Sequence, residues 1–136
     1  MTTAECACGA LKLDVRAEPQ LTALCHCLSC QKRTGSVFSA NAFYSVESVE
    51  IRGSASEFVR TGDSGRTVRL YFCPSCGSTV YWRAEATPHW IGVAVGAFGD
   101  PAFRSPTLSV FEQSKHTWLQ RDSSIEHFQG LPVEPE

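Results

Sequence analysis

The 136-residue sequence lacks the features that mark several classes of protein. It has no apolar run of the roughly 20 residues that a membrane-spanning helix needs, because its longest apolar window, residues 90–98, is short and contains glycines. No cationic segment followed by an apolar stretch opens the chain, so a secretory route is not expected. These absences predict a soluble, cytoplasmic protein without a membrane partner.

An excess of positive charge is also missing. Twelve basic and fourteen acidic residues give a formal net charge of -2, and the sequence contains no basic run. Domains that bind nucleic acids usually present a cationic face to the phosphates. A nucleic-acid partner is therefore not expected.

Helical periodicity is scarce, whereas short alternating segments recur along the chain. Strands are predicted over residues 11–15, 36–44, 49–52, 57–60, 67–72, 79–83, 90–95 and 108–112. The segments at 57–60 and 67–72 are expected to pair as a hairpin across the turn-forming residues 62–65. One short helical turn is predicted over residues 29–34, ended by Gly35. The sequence therefore predicts a mainly β protein with few or no long helices.

What the sequence does contain is cysteine. Seven cysteines form a pair, a triplet and a second pair: Cys6 and Cys8; Cys25, Cys27 and Cys30; Cys73 and Cys76. An odd count of closely spaced cysteines argues against a disulfide scaffold, because near neighbours seldom reach disulfide geometry with each other. Metal binding by reduced thiols is the better interpretation in a cytoplasmic protein.

The two outer pairs are each followed by glycine, as C-x-C-G at residues 6–9 and C-x2-C-G at residues 73–77. Such a knuckle turns two sulfurs toward one ion, and the glycine accepts the strained backbone after the second ligand. Four thiolates from the two pairs predict a closed, tetrahedral zinc site that contributes to folding. Cysteines without metal are the alternative, and the two short spacings favour zinc.

The central triplet supplies three thiolates from one short segment, and no cysteine remains to complete it. Three protein ligands with an open position are typical of catalytic zinc. Three thiolates leave a divalent ion with net negative charge, which weakens it as a Lewis acid and favours capture of a soft external thiol over hydrolysis. We therefore expect a functional zinc site on Cys25, Cys27 and Cys30.

Two other interpretations of the triplet stay open. A histidine can complete it as a second structural site, although His26 lies between two ligands and points away from the ion in extended backbone. The candidate histidines are His26, His89, His116 and His127. A thioredoxin-like redox role for residues 27–30 or 73–76 lacks the βαβ setting that such a motif needs.

Taken together, these motifs resemble the family of glutathione-dependent formaldehyde-activating enzymes, which also includes centromere protein V. The likeness extends from Cys6 to about Leu119. Its main segments are CACGA at 6–10, CHCLSCQK at 25–32, TGS at 34–36 and FCPSCGS at 72–78. Weaker similarity is present at residues 95–101 and 115–118.

The resemblance implies a β-tent fold of antiparallel sheets with zinc knuckles and two zinc ions per chain. One ion would be structural, on Cys6, Cys8, Cys73 and Cys76, and the other functional, on Cys25, Cys27 and Cys30 as the catalytic residues. We expect this zinc-binding domain over residues 1–121 and a C-terminal tail over residues 122–136.

The implied activity is that of a carbon-sulfur lyase resembling S-(hydroxymethyl)glutathione synthase. Glutathione or a similar small thiol would form or release an S-hydroxymethyl adduct, a hemithioacetal, with formaldehyde or a related small aldehyde. Lys32 and Arg33 can meet a carboxylate of the thiol, with solvated charges as the alternative, and Trp118 is a candidate to flank the site. The alternative function is a non-catalytic zinc module for a protein or nucleic-acid partner. An enzyme of unrelated substrate that keeps the open zinc is a third possibility.

Overall fold

The computed structural model describes residues 1–62, 65–120 and 122–132. Over these residues the chain forms short strands and one α-helix, which confirms the prediction of a mainly β protein with few or no long helices. The strands are β1 (Thr2–Glu5), β2 (Lys12–Val15), β3 (Leu21–Cys25), β4 (Ser39–Ser45), β5 (Val49–Arg52), β6 (Ser56–Thr61), β7 (Thr67–Phe72), β8 (Thr79–Ala84), β9 (Trp90–Ala94), β10 (Leu108–Val110) and β11 (Glu126–His127); the helix is α1 (Leu28–Thr34). None of the helical segments in this part of the chain has the length and apolar character needed to cross a membrane.

The chain divides into two compact units. Unit 1 contains Met1–Gln20 and Ala42–Phe103, and unit 2 contains Leu21–Asn41 and the residues from Arg104 onward. Strand β4 begins in unit 2 and ends in unit 1. The expected division into a domain over residues 1–121 and a tail over residues 122–136 stays a prediction, and positions 121 and 133–136 lie outside the described residues.

Unit 1 carries two sets of antiparallel strands. One is a three-stranded sheet in the order β1-β2-β5, and the other follows the order β9-β8-β7-β6. Strands β6 and β7 form the predicted hairpin. Gly65 in its loop has a φ of +83°, a conformation that glycine adopts readily, whereas Asp63 and Ser64 lie outside the described residues.

The core of unit 1 is apolar. Leu13 of β2 and Val93 of β9 are fully buried in it. Cys6 and Cys73 belong to the same buried cluster. Its members are Ala4, Cys6, Leu11, Leu13, Val15, Ala42, Tyr44, Cys73, Val80, Tyr81, Ile91 and Val93. Burial of each large side chain stabilises the fold by about 1.5–3 kcal/mol.

Unit 2 is built around parallel pairing. Strand β10 lies between β11 and β3 and runs parallel to both, with Val110 opposite Cys25. The side chain of Cys27 caps α1 by accepting a hydrogen bond from the backbone N–H of Cys30, at 3.3 Å. Gly35 ends the helix with a φ of +73°, and its N–H donates to the carbonyl of Gln31. The predicted helical turn is thus confirmed, one residue longer at its start.

Many of the buried side chains in unit 2 are polar. They are Thr22, His26, Ser39, Asn41, Ser109 and Glu112. Among these, the Glu112 carboxylate contacts Nδ1 of His127, whose Nε2 donates to the Asp122 carbonyl oxygen. These contacts attach the segment that carries β11 to the residues after β10.

Candidate metal centres

Two related turns position the cysteines of the outer pairs. After each pair a glycine with a φ of +79° turns the chain back, and its N–H donates to the carbonyl oxygen of the first cysteine. The bond from Gly9 to Cys6 is 3.0 Å long, and the bond from Gly77 to Cys73 is 2.8 Å long. The left-handed backbone after the second cysteine is the reason that glycine follows both pairs.

These turns gather four sulfurs in unit 1. The Sγ atoms of Cys6, Cys8, Cys73 and Cys76 all lie within 4.8 Å of one another. The distance from Cys8 Sγ is 3.7 Å to both Cys6 Sγ and Cys73 Sγ. A tetrahedral zinc site with metal–sulfur bonds of about 2.3 Å has sulfurs about 3.8 Å apart. The four-thiol cluster therefore has dimensions suited to a metal ion such as zinc.

Hydrogen bonds shift the pKa values of three thiols in the four-thiol cluster, those of Cys6, Cys8 and Cys76. The backbone N–H of Leu11, 3.2 Å from Cys6 Sγ, lowers the pKa of Cys6. The Ser78 hydroxyl and its backbone N–H lower the pKa of Cys76 to about 5. For Cys8, a backbone hydrogen bond at Ala10 favours the thiolate, but contacts with neighbouring thiols outweigh it and raise the pKa to about 11. A cation is therefore needed before Cys8 can ionise beside Cys76 at neutral pH.

The triplet forms a second cluster where β3 meets α1, in unit 2. Cys25 ends the strand, Cys27 precedes the helix and Cys30 lies in its first turn. Their three sulfurs lie within 4.8 Å of one another. Cys25 is buried, whereas Cys27 and Cys30 are half-buried, so the cluster is partly accessible to solvent. This three-thiol cluster can also hold a metal ion.

The negative charge of the three-thiol cluster collects on Cys30. Hydrogen bonds from the Cys25 and Cys27 thiols lower the pKa of Cys30 to about 2, and Arg33 Nη2 lies 3.8 Å from its Sγ. The same contacts with Cys27 and Cys30 raise the pKa of Cys25. For Cys27, the favourable contact with Cys25 is outweighed by Cys30 and by burial, and its pKa is also raised. Without a cation, one thiolate is stabilised at the expense of its neighbours.

No fourth histidine, cysteine or carboxylate joins this cluster among the residues that the structure describes. His89 lies in unit 1, in the turn before β9. The other three histidines make contacts elsewhere: His26 Nε2 with Ser109 Oγ, His116 Nε2 with Gln31 Oε1, and His127 Nδ1 with Glu112 Oε2. The structure therefore leaves the three sulfurs without a histidine.

Gln31 supports the loop of the triplet, although the local spacing predicted no role for this residue. Its amide Nε2 donates to the carbonyl oxygens of His26 and Ser114, at 2.9 and 3.1 Å. Its Oε1 lies 3.0 Å from His116 Nε2, and His116 Nδ1 lies 3.2 Å from Trp118 Nε1. The position of Gln31 directly after a candidate ligand was the one available signal. Its partners Ser114 and His116 are distant in sequence, so the local pattern could not show them.

Comparison with known proteins agrees with these features. Residues 1–114 match the family described as glutathione-dependent formaldehyde-activating enzyme. A crystal structure of a Rhodobacter sphaeroides protein is similar in fold, with a TM-score of 0.57 and 21% sequence identity. That similarity covers 74% of this chain and 92% of the other. The match over residues 1–114 confirms the resemblance seen in the cysteine motifs.

Proposed function

Because the chain belongs to the family of glutathione-dependent formaldehyde-activating enzymes, we propose that it is a zinc-dependent carbon-sulfur lyase. Its substrates would be glutathione or a similar small thiol, and formaldehyde or a related small aldehyde. The observation that carries this proposal is the accessible three-thiol cluster, to which the described residues add no fourth donor. An external thiol needs such an open position beside the protein ligands.

We assign one zinc ion to each cluster. The ion on Cys6, Cys8, Cys73 and Cys76 is structural, since four thiolates leave no position for a substrate. The ion on Cys25, Cys27 and Cys30 is functional. When bound there, zinc supplies the positive charge that keeps an added thiol ionised near neutral pH.

The reaction is the addition of the thiol sulfur to the aldehyde carbon. A carbon–sulfur bond forms, the carbonyl π electrons move to oxygen, and the oxygen takes up the proton that the thiol has lost. The reverse reaction breaks the same bond. The protein's own residues hold the two reactants together, which removes much of the entropic cost of their encounter. Lys32 and Arg33 on α1 bring positive charge that suits the carboxylates of a thiol such as glutathione.

Metal analysis tests the assignment of the two sites. The purified protein is expected to contain two zinc ions, one for each cluster. Cys30→Ser is expected to reduce the content to about one while the circular dichroism spectrum stays unchanged, because the four-thiol cluster is intact. Leu131→Ala, an exposed position in unit 2, is the control and should keep both ions. Loss of both ions or of the fold in Cys30→Ser would contradict the division of roles.

Two-dimensional exchange NMR tests the activity, because formaldehyde and glutathione also react without a catalyst. The wild-type protein is expected to speed exchange between free glutathione and S-(hydroxymethyl)glutathione, and Cys30→Ser to return it to the uncatalysed rate. A protein that holds both zinc ions but exchanges at the background rate would be a non-catalytic zinc module instead.

A further inference from the structure

A chain of hydrogen bonds connects an exposed tryptophan to the loop of the triplet. Trp118 Nε1 lies 3.2 Å from His116 Nδ1, and His116 Nε2 lies 3.0 Å from Gln31 Oε1. Gln31 Nε2 lies 2.9 Å from the carbonyl oxygen of His26, the residue between the first two cysteines of the triplet. All of these residues belong to unit 2.

The chemistry of the groups fixes the direction of every bond in this chain. An indole N–H can only donate, so His116 Nδ1 must accept and the imidazole is neutral. The ring proton is then on Nε2, which donates to the side-chain oxygen of Gln31. The Gln31 amide nitrogen is left to donate, and two backbone carbonyls accept its protons, those of His26 and Ser114. Every donor in this series of hydrogen bonds therefore meets an acceptor.

The result is an aromatic ring that is oriented but not covered. Trp118 is 68% exposed, although its polar nitrogen is already hydrogen-bonded within the protein. Its ring meets the His116 ring edge-on, with centroids 6.0 Å apart and an interplanar angle of 88°. Exposed aromatic rings with fixed orientation are typical of binding sites, because they bury a large apolar area and lose little conformational entropy.

We propose that Trp118 binds the thiol substrate of the three-cysteine cluster, and that His116 and Gln31 are positioning residues for it. The inference rests on the function proposed above. A peptide thiol such as glutathione carries planar amides and methylene groups on either side of its sulfur, and these groups can stack on an indole face while the sulfur lies at the cluster. A short thiol without amides has no such groups with which to contact the ring.

Calorimetric titration of the zinc-loaded protein with glutathione and with 2-mercaptoethanol tests this. Trp118→Ala is expected to weaken glutathione binding about tenfold and to leave 2-mercaptoethanol binding unchanged, since only glutathione reaches the ring. Trp118→Phe should retain most of the affinity. His116→Ala should lose part of it, and His116→Gln, which keeps an acceptor and a donor, should restore it.

Two further measurements distinguish a loss of Trp118 orientation from general damage to the protein. Zinc content should be the same in every variant, and Leu131→Ala, 64% exposed in the same unit, should bind glutathione as the wild type does. In the ligand-free protein, the fluorescence anisotropy contributed by Trp118 should fall in His116→Ala and recover in His116→Gln.

Each outcome bears on the inference. Trp118→Ala that binds glutathione as tightly as the wild type would overturn it while leaving the proposed function intact. Equal weakening of both thiols would also overturn it, because the damage would then be at the cluster. A wild-type protein that binds neither thiol would contradict the proposed function and this inference together.

Discussion

The two cysteine clusters lie in surroundings of opposite character. In unit 1, Cys6 and Cys73 are part of an apolar core and pack among side chains such as Leu11 and Val80. In unit 2, six of the buried side chains are polar or charged, and the helix that carries Cys30 buries none of its residues. Two ligands of the four-thiol cluster therefore belong to the apolar core of their unit, whereas Cys25 alone is buried in the three-thiol cluster.

Unsatisfied polar atoms reinforce the contrast. Four buried side-chain atoms lack a hydrogen-bond partner in the described part of the chain, and three of them are in unit 2: Thr22 Oγ1, His26 Nδ1 and Asn41 Oδ1. Such atoms are costly to bury and are concentrated at functional sites, where stability is given up for chemistry. The difference between the units supports the proposal that the functional site lies in unit 2 and that the four-thiol cluster of unit 1 is structural.

The largest effect on stability is expected from Cys73→Ser. Cys30→Ser, in the other cluster, is the variant with which it is compared. Cys73→Ser removes a buried ligand from the apolar core, and we expect a loss of about 5 kcal/mol or more in the free energy of unfolding. Cys30→Ser should shift the melting temperature by only about 5 °C or less while abolishing exchange activity. Thermal unfolding followed by circular dichroism measures both. Equal destabilisation by the two substitutions would remove the distinction between the clusters.

A smaller loss of unfolding free energy is expected from a substitution at Gly53, where the backbone passes close to the first knuckle. Gly53 has a φ of +94°, and a Cβ added there would lie 2.1 Å from the carbonyl oxygen of Ala10, the residue after the C-x-C-G motif. Gly53→Ala should cost about 2–4 kcal/mol in chemical denaturation.

Gly65→Ala is the matched control for this substitution. Gly65 also has a positive φ, +83°, but an added Cβ would meet none of the described residues within 4 Å. We expect a cost of about 1 kcal/mol, from backbone conformation alone. Similar losses in the two variants would show that the contact with the knuckle is unimportant.

A more moderate effect on stability is expected from the ionisation of Asp14 in unit 1, and this effect depends on pH. Hydrogen bonds from Arg52 and from the Thr3 hydroxyl lower the pKa of Asp14 from 3.8 to about 2 in the folded protein. A lowered carboxylate pKa adds stability above about pH 4, and this stability is lost as the pH falls toward 2. The wild type should therefore melt above Asp14→Asn at pH 5, and the difference should shrink steadily toward pH 2. A constant difference would contradict the ion pair as its cause.

The smallest effect is expected at the rim of the three-thiol cluster. Arg33→Ala removes a charge 3.8 Å from Cys30 Sγ and should slow thiol exchange about threefold without loss of zinc, because a partly exposed charge contributes less than about 1 kcal/mol. Arg16→Ala, which removes an exposed ion pair with Glu50 in unit 1, is the control and should leave exchange unchanged. A loss of zinc in Arg33→Ala would show instead that Arg33 stabilises metal binding at the cluster.

Local patterns predicted strands whose sequences alternate polar and apolar residues. The predicted segments at 49–52 and 67–72 coincide with β5 and β7. Strand β3 was not predicted because its sequence, LTALC, does not alternate polar and apolar residues. It is held by parallel pairing with β10, a partner distant in sequence. The prediction also missed β1, in which one residue is fully buried, and the two-residue β11.

The candidate metal clusters were predictable for a related reason. Ligands in a knuckle are neighbours in sequence, so spacing alone divided the cysteines into the two groups that the structure assembles. The groups that surround the triplet come from far along the chain: Ser109 contacts His26, and the carbonyl of Ser114 accepts from Gln31. No local pattern connects them, because their proximity depends on the parallel strands.

The parallel pairing of β3 with β10 also sets an order of events during synthesis. The three thiols of the triplet are complete once residue 30 has been made, but the strand that lies beside Cys25 ends at Val110. The four-thiol cluster has all of its ligands once residue 76 has been made. On a growing chain, which folds from its N-terminus as it emerges, the three-thiol cluster is thus the first to present its thiols and the last to be enclosed.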